Sequence, residues 1–316
     1  MTISTLQARA AADAVAPGPR PRTRRRRFPA TPYLFLLPGF VLFAVTVVYP
    51  ITQAVQMSLY DWRIIGGATS EFLGLENYAR ALGDDHFWLS FGNTVFYLIA
   101  TIPPQIVLGL VVALLLHARS PIRPFLRVLY YLPVVTSWVV VSLLFRFLFA
   151  DQGLINWTLG TTGVTGGDTS WLADRWTGML AISALGVWKG VGWSMMIFLA
   201  ALQGVPQSLM EAATVDGANR WQRFRAVTLP AIRAAMAFVT VMLVIGAFNV
   251  FISVYLMTGG GPAGRTDVLL TYMYRLAFGD LEFGYGSAIA VILTLVVLVL
   301  SLAQLRLFRD RDGVTP

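Results

Sequence analysis

Cysteine is absent from the 316 residues, which excludes a disulfide framework and thiolate metal sites. Charge is scarce: 13% of residues are Asp, Glu, Lys or Arg, against about 25% in soluble domains. Hydrophobic residues make up 56%, and mean hydropathy is +0.66. So little charge cannot cover a globule of this size, which leaves an integral membrane protein. Lysine occurs once, at Lys189, and Gly190 follows it. A phosphate-binding loop needs Gly-Lys-Ser/Thr, so nucleotide binding by that route is excluded and no cofactor is expected in this chain. Histidine occurs twice, at His86 and His117. The topology derived below puts them on opposite membrane faces, too far apart for one metal site. No Ser–His–Asp set assembles on one face either, which disfavours a membrane enzyme.

What is present is a series of long apolar runs. A helix needs about 20 mainly apolar residues to cross a bilayer. Six runs qualify: Leu34–Gln56, Trp88–Leu116, Leu126–Ala150, Thr177–Gln203, Arg233–Met257 and Tyr285–Leu307. Continuous runs rather than period-two alternation exclude an outer-membrane barrel. The expected class is all-α, a polytopic membrane protein with six transmembrane helices over residues 33–308. None of the six runs contains Asp or Glu. Ion-coupled transporters commonly use such intramembrane carboxylates, so their absence weighs against that class.

The net charge of +8 invites a nucleic-acid reading, but its distribution argues for membrane orientation. With the N-terminus in the cytoplasm, the inner segments hold 17 Arg and the outer loops 5, while acids number 11 outside and 5 inside. Excess Arg marks cytoplasmic loops, so both termini are placed in the cytoplasm and no nucleic-acid partner is expected. Residues 1–32 carry Arg24, Arg25, Arg26 and Arg27 without apolar periodicity and read as a disordered basic tail. The apolar run that follows is longer than a signal-peptide core and lacks a clear A-x-A site, so it reads as an uncleaved first helix. Residues 309–316 form a short cytoplasmic end.

The segment Gly204–Arg233 is the most informative loop. Pro206 fits a first helical turn, and helix formers run from Leu209 to Ala213. Gly217 supplies a stop, Asn219 a second cap, and Trp221, Phe224 and Val227 share an apolar face at helical spacing. Pro230 closes the unit before the fifth run. The expectation is a helix–turn–helix knob at the cytoplasmic surface, built either to dock a partner or to lie on the bilayer.

This loop closely resembles the EAA loop of bacterial ABC importer permeases. Glu211, Ala212 and Ala213 are followed at the family spacing by Gly217, Val227, Leu229 and Pro230. The family usually has Ile where Val227 stands. Tyr49-Pro50, the segment Phe72 to Tyr78, Leu132-Pro133 and Gly259-Gly260-Gly261-Pro262 resemble the sugar-uptake branch, of the maltose-permease type, and the likeness covers nearly the whole chain. It implies the type I importer (MetI-like) architecture in a bacterial plasma (inner) membrane. It also implies a coupling loop, 204–232, seated on an ABC ATPase dimer that binds ATP and Mg. Glu211, Ala212, Ala213, Asp216, Gly217, Leu229 and Pro230 would carry that coupling. A homologous second permease and an external solute-binding protein would complete the assembly.

For the solute path, span four offers Gly186, Trp188, Lys189, Gly190, Gly192 and Trp193. A mid-span lysine costs about 2.5–3.5 kcal/mol on insertion scales, so Lys189 should face a polar cavity, solute or partner. In span five, Gly246, Asn249 and Ser253 recur at helical spacing and suggest a polar stripe flanked by Phe248 and Tyr255. The resemblance places a sugar site near Trp193 and Asn249. The neighbouring contact positions here are Gly186, Lys189, Gly190 and Ala247, so the detailed site is not inherited intact. The candidate pathway is therefore Gly186, Lys189, Gly190, Trp193, Phe248, Asn249 and Ser253, with Trp188 and Phe248 open to a packing role. Trp157, Trp171 and Trp176 in the outer loop are either interface anchors or part of a binding-protein dock. The expected cargo is a di- or oligosaccharide. Glycerol phosphate within the same branch, or an ion-coupled secondary transporter, is the alternative.

Overall fold

A computed structural model describes residues 30–62, 70–118, 121–163 and 168–309. Most of the basic tail 1–32 and of the end 309–316 lies outside the described residues, although helix already begins at Ala30. The chain divides at Pro50 into two compact units. The first holds the helix Ala30–Phe43 and the π turn Ala44–Val48. The second, Ile51–Pro316, carries everything that follows.

Four helices are long and apolar enough to span a membrane without interruption: Leu34–Met57, Asp85–His117, Arg175–Gln203 and Phe283–Phe308. Each agrees with an expected run to within three residues. Two further helix pairs pass the same test of length and composition only when taken together, each bent at a short break. Arg123–Val135 meets Trp138–Leu148 at 94°, and Arg220–Ala231 meets Arg233–Phe248 at 66°.

Two of the expected spans are interrupted, each where a side chain takes a backbone carbonyl. The expected span Leu126–Ala150 breaks because Thr136 and Ser137 are extended, with ψ of 150° and 135°. Pro133 lies in the preceding helix, and the Thr136 hydroxyl donates to its carbonyl at 2.6 Å. The expected span Arg233–Met257 stops at Phe248 and resumes as Ile252–Met257. There the Asn249 side chain donates to the Ile245 carbonyl at 2.8 Å, while the Asn249 backbone N–H turns to Gly246. A polar side chain thereby replaces the next rung of the helix.

The most extensive interface joins Asp85–His117 to Arg175–Gln203, and the two run parallel. Gly186 abuts Tyr97 and Thr101, Gly190 abuts Gln105, and Gly109 abuts Ser194. Small residues let helix backbones approach closely in a membrane, where no hydrophobic effect drives them together. The core falls into two clusters. One gathers Phe87, Met179, Leu185, Phe248, Val254, Leu269, Tyr285 and Ile289. The other gathers Leu116, Met195, Phe198, Leu202, Ile232 and Val239. Helices Asp85–His117 and Arg175–Gln203 run from the first cluster to the second, and Arg233–Phe248 runs back. The loop 204–232 therefore lies at one end of the unit, and the described segments 58–62 and 70–84 with loop 258–282 at the other.

Candidate functional site

At the first end, the loop 204–232 folds as a hairpin held by backbone caps. Pro206 sits just before the helix Gln207–Val215 rather than in its first turn. Gly217 follows the helix with φ +77°. The Ala218 N–H reaches the Ala213 carbonyl at 3.0 Å and the Gly217 N–H reaches that of Thr214 at 3.1 Å. This paired closure satisfies the last carbonyls and needs the left-handed residue that glycine supplies. Asn219 then caps Arg220–Arg223 through a reciprocal pair with Gln222, at 2.9 Å and 2.8 Å. A π turn Phe224–Thr228 leads to Leu229–Ala231, so Pro230 lies inside the last helical turn and the break falls after it, at Ile232. Trp221 stacks on Phe224 at 5.5 Å. Glu211, Ala212, Asp216, Gly217 and Pro230 are exposed, while Ala213 and Leu229 are half-buried. Glu211 accepts from Gln207 at 2.8 Å, and Val215 is 88% exposed.

In the middle of the unit, two cavities share a wall. The first, about 230 Å³, is lined by Gln105, Gly186, Lys189, Gly190 and Trp193 among others. The second, about 440 Å³, is lined by Asn249, Phe251 and Ser253. Tyr97, Trp138 and Gly246 belong to both. Gly186 and Gly190 are the packing positions described above. Trp193 lies near Phe238, at 6.4 Å between ring centres. The Ser253 hydroxyl is buried with no partner among the described residues.

Two expectations change here, and Trp188 takes the packing role left open to it. Phe248 is 2% exposed and belongs to the core, so packing, not the pathway, is its place. The stripe Gly246–Asn249–Ser253 is not helical, because the helix breaks between them. Trp188 packs against Phe145 at 5.5 Å and lines a separate apolar groove with Leu129 and Leu180.

Lys189 is 4% exposed; although it lines the first cavity, its ammonium is taken up by backbone carbonyls. It donates to the carbonyls of Thr136 at 2.6 Å, Pro133 at 2.7 Å and Val134 at 3.4 Å. These are the orphan carbonyls left where Arg123–Val135 ends. A cation at a helix C-terminus also meets the negative end of its dipole. The Trp138 ring lies 4.9 Å from the ammonium. Lys189 therefore pins the elbow whose Trp138 forms the shared cavity wall.

The opposite end is closed by a network that sequence reasoning missed. Asp84 caps the helix Asp85–His117, accepting from the His86 amide at 2.8 Å. It also accepts from the hydroxyls of Tyr272 and, at 2.6 Å, Tyr285. Burial pushes its carboxyl up, but these donors outweigh that and hold it below the ordinary carboxylate range. Asp267 pairs with Arg275 at 2.9 Å and accepts from Thr271 at 3.0 Å, and His86 Nε2 lies 3.1 Å from it. Burial nonetheless leaves its carboxyl above the ordinary value. Asn93 donates to the carbonyls of Arg265 and Asp267 at 2.8 Å and 2.7 Å, and Arg175 donates to Asn93 at 2.9 Å. His86 is thus half-buried beside the Asp267–Arg275 ion pair. In the loop before the fourth span, Trp171 donates to Asn156 at 2.8 Å and Trp176 packs on Phe96, whereas Trp157 is 65% exposed. No group of three or more potential metal ligands occurs among the described residues.

A family model described as "Binding-protein-dependent transport system inner membrane component" matches residues 105–312. The chain belongs to this family. The permease is 37% identical over 281 residues to a probable ABC transporter permease of Bacillus subtilis, YurN, covering 88% of this chain and 96% of that protein. It is 34% identical over 284 residues to the lactose transport system permease LacF of Rhizobium radiobacter, covering 88% and 94%. The crystal structure of a bacterial ABC transporter that imports alginate contains a chain of the same fold. Its TM-score is 0.76 at 24% identity, covering 89% of the permease and 95% of that chain. A membrane-spanning transport subunit is therefore the class of this protein.

Proposed function

We propose that this permease moves a neutral di- or oligosaccharide into the cell by alternating access, driven by ATP hydrolysis in a separate ATPase dimer. The hairpin 204–232 seats on that dimer through Glu211, Ala212, Ala213, Asp216 and Gly217, with Leu229 and Pro230 fixing its return limb. ATP and Mg are bound by the partner. The two cavities bias the pathway between outward and inward states through the ligand they hold. A homologous second permease and an external solute-binding protein complete the transporter. The hairpin faces the cytoplasm of a bacterial inner membrane, because the Arg excess lies at that end.

The observation that carries the choice of cargo is the state of Lys189. Among the described residues lining the two central cavities it is the one charged side chain, and three carbonyls engage its ammonium. The walls otherwise combine aromatic rings and aliphatic side chains such as Met242, Leu243 and Val250 with a few amides and hydroxyls, which suit the apolar faces and hydroxyl edges of a sugar. A phosphate-bearing solute would find no unengaged cation there, which disfavours glycerol phosphate. The curated relatives named for lactose and for arabinooligosaccharides support the same class.

The test is uptake into vesicles carrying the complete transporter, with lactose, maltose, an arabinotriose and glycerol 3-phosphate as probes. ATP-dependent accumulation of at least one sugar, and none of glycerol phosphate, is expected. Uptake by this chain alone, driven by an ion gradient without ATP, would overturn the reading.

A further inference from the structure

Beyond the central cavities, toward the end closed by Asp84 and Asp267, runs a connected series of aromatic rings. Phe251, in the wall of the second cavity, stacks on Tyr255 at 5.3 Å with ring planes 13° apart. Tyr274 meets Phe251 at 5.1 Å and Tyr255 at 5.6 Å, both edge-on. Phe278 follows Tyr274 at 4.9 Å. The rings are open rather than buried: Tyr255 is 48% exposed, Tyr274 36% and Phe278 62%. Tyr255, Tyr274 and Phe278 line a third cavity of about 290 Å³, together with Thr271 and Arg275.

Arg275 is pre-positioned in that wall. One Nη donates to Asp267 at 2.9 Å and the other donates to His86 Nε2 at 2.8 Å, so that nitrogen accepts here and does not also donate to Asp267. These two bonds use part of a five-donor guanidinium. Its side chain is 41% exposed, so further N–H groups can meet a ligand without side-chain ordering at the moment of binding. An acyl chain would have no use for such a fixed donor at its edge. A pyranose ring offers an apolar face to the aromatic rings and hydroxyls to the guanidinium.

We propose that Tyr255, Tyr274 and Phe278, edged by Arg275, form an outer carbohydrate subsite, continuous through Phe251 with the central cavities. Solute stacks there before it enters the membrane interior. The subsite deepens the sugar-permease reading and rests on it for the identity of the cargo.

Because the chain has no cysteine, Phe278→Cys places a single thiol in this chain, in the proposed subsite. In the detergent-purified complex with its own partner subunits and no binding protein, the probes are lactose, maltose, an arabinotriose and the open-chain polyol sorbitol. At least one sugar should slow maleimide labelling of Phe278→Cys about three- to tenfold. Sorbitol should not, and the labelling of Trp157→Cys, exposed in a different loop, should stay unchanged. In vesicles, the conservative double variant Tyr274→Leu with Phe278→Leu should lower sugar uptake about three- to tenfold while the ATPase rate is kept. Labelling insensitive to every sugar, equal slowing by sorbitol, or full uptake by the double variant would each overturn the subsite. Sugar uptake by the unaltered complex without protection of Phe278→Cys removes the subsite alone. Protection without ATP-driven sugar uptake removes the parent reading and leaves the subsite standing.

Discussion

The two ends of the permease are built on opposite plans. The hairpin 204–232 is held by bonds between near neighbours in sequence: Ala218 to Ala213, Gly217 to Thr214, and Asn219 with Gln222. Much of its surface is left open, with Val215 88% and Trp221 67% exposed. The far end is held by bonds across the chain, from Asp84 to Tyr272 and Tyr285 and from Asn93 to Arg265 and Asp267. Asn93 and Asp267 are buried there and hydrogen-bonded to groups distant in sequence. A self-contained, exposed element can be gripped by a partner without disturbing the spans. A cross-linked one fixes the mouths of several helices relative to each other.

The contrast can be broken most severely at Gly217. Proline fixes φ near −65° and lacks an N–H, whereas Gly217 sits at +77° and donates to Thr214. With membrane insertion unchanged, Gly217→Pro should abolish uptake and reduce co-purification of the ATPase. Full uptake by this variant would remove the hairpin from coupling. Lys189→Ala comes next. It strands the carbonyls of Pro133 and Thr136 in the membrane interior, a penalty on the order of 1–3 kcal/mol, and frees Trp138. Uptake should fall at least tenfold while solute affinity of the isolated binding protein stays the same. Asn249→Ala, which unmakes the cap at the Ile245 carbonyl, should lower uptake less. Unaltered uptake kinetics in both variants would take the elbow and the helix break out of the pathway.

These predictions also separate what was legible in the sequence from what was not. The four continuous spans were legible because a long apolar run has one stable form in a bilayer. The hairpin was legible because caps are local: glycine past one helix and asparagine before the next are readable within a few residues. The breaks at Thr136 and Asn249 were not. Each depends on a side chain taking a carbonyl that a helix would have used, and at Thr136 the donor lies 53 residues away. The charge of Lys189 gave the right physical question, what it faces, but the answer required the third dimension. The surroundings of His86 were hidden for the same reason, since Asp267 and Arg275 lie far along the chain. The outer rings left a faint trace: Phe251 with Tyr255, and Tyr274 with Phe278, each stand four residues apart, a helical spacing.

Asp84→Asn probes the cross-linked end. The carboxylate draws donors from Tyr272, Tyr285 and the His86 amide, and its folded-state value lies below the ordinary 3.8. A depressed acid stabilises the fold above its unfolded-state value and loses that contribution as pH falls through the folded one. At neutral pH the variant should therefore melt a few degrees below the wild type, on the order expected for a lost charged cap. The gap should close in acid, below the ordinary carboxylate value. A gap that persists there would mean that shape, not charge, holds the tyrosines.

The mildest prediction concerns Asn219→Ala. Removing such a cap typically costs about 1 kcal/mol of helix stability. In a hairpin whose bonds are internal, that loss should stay inside the hairpin. The melting temperature of the complex should hold steady. Amide exchange over residues 219–223 should quicken, by about fivefold for 1 kcal/mol of local opening. Uptake should fall by less than half, because Gly217 and its two closing bonds still set the bend. If the melting temperature instead dropped as far as in Asp84→Asn, the hairpin would be stabilising the spans as well. Its independence from them, which the bonding pattern of the two ends implies, would then be wrong.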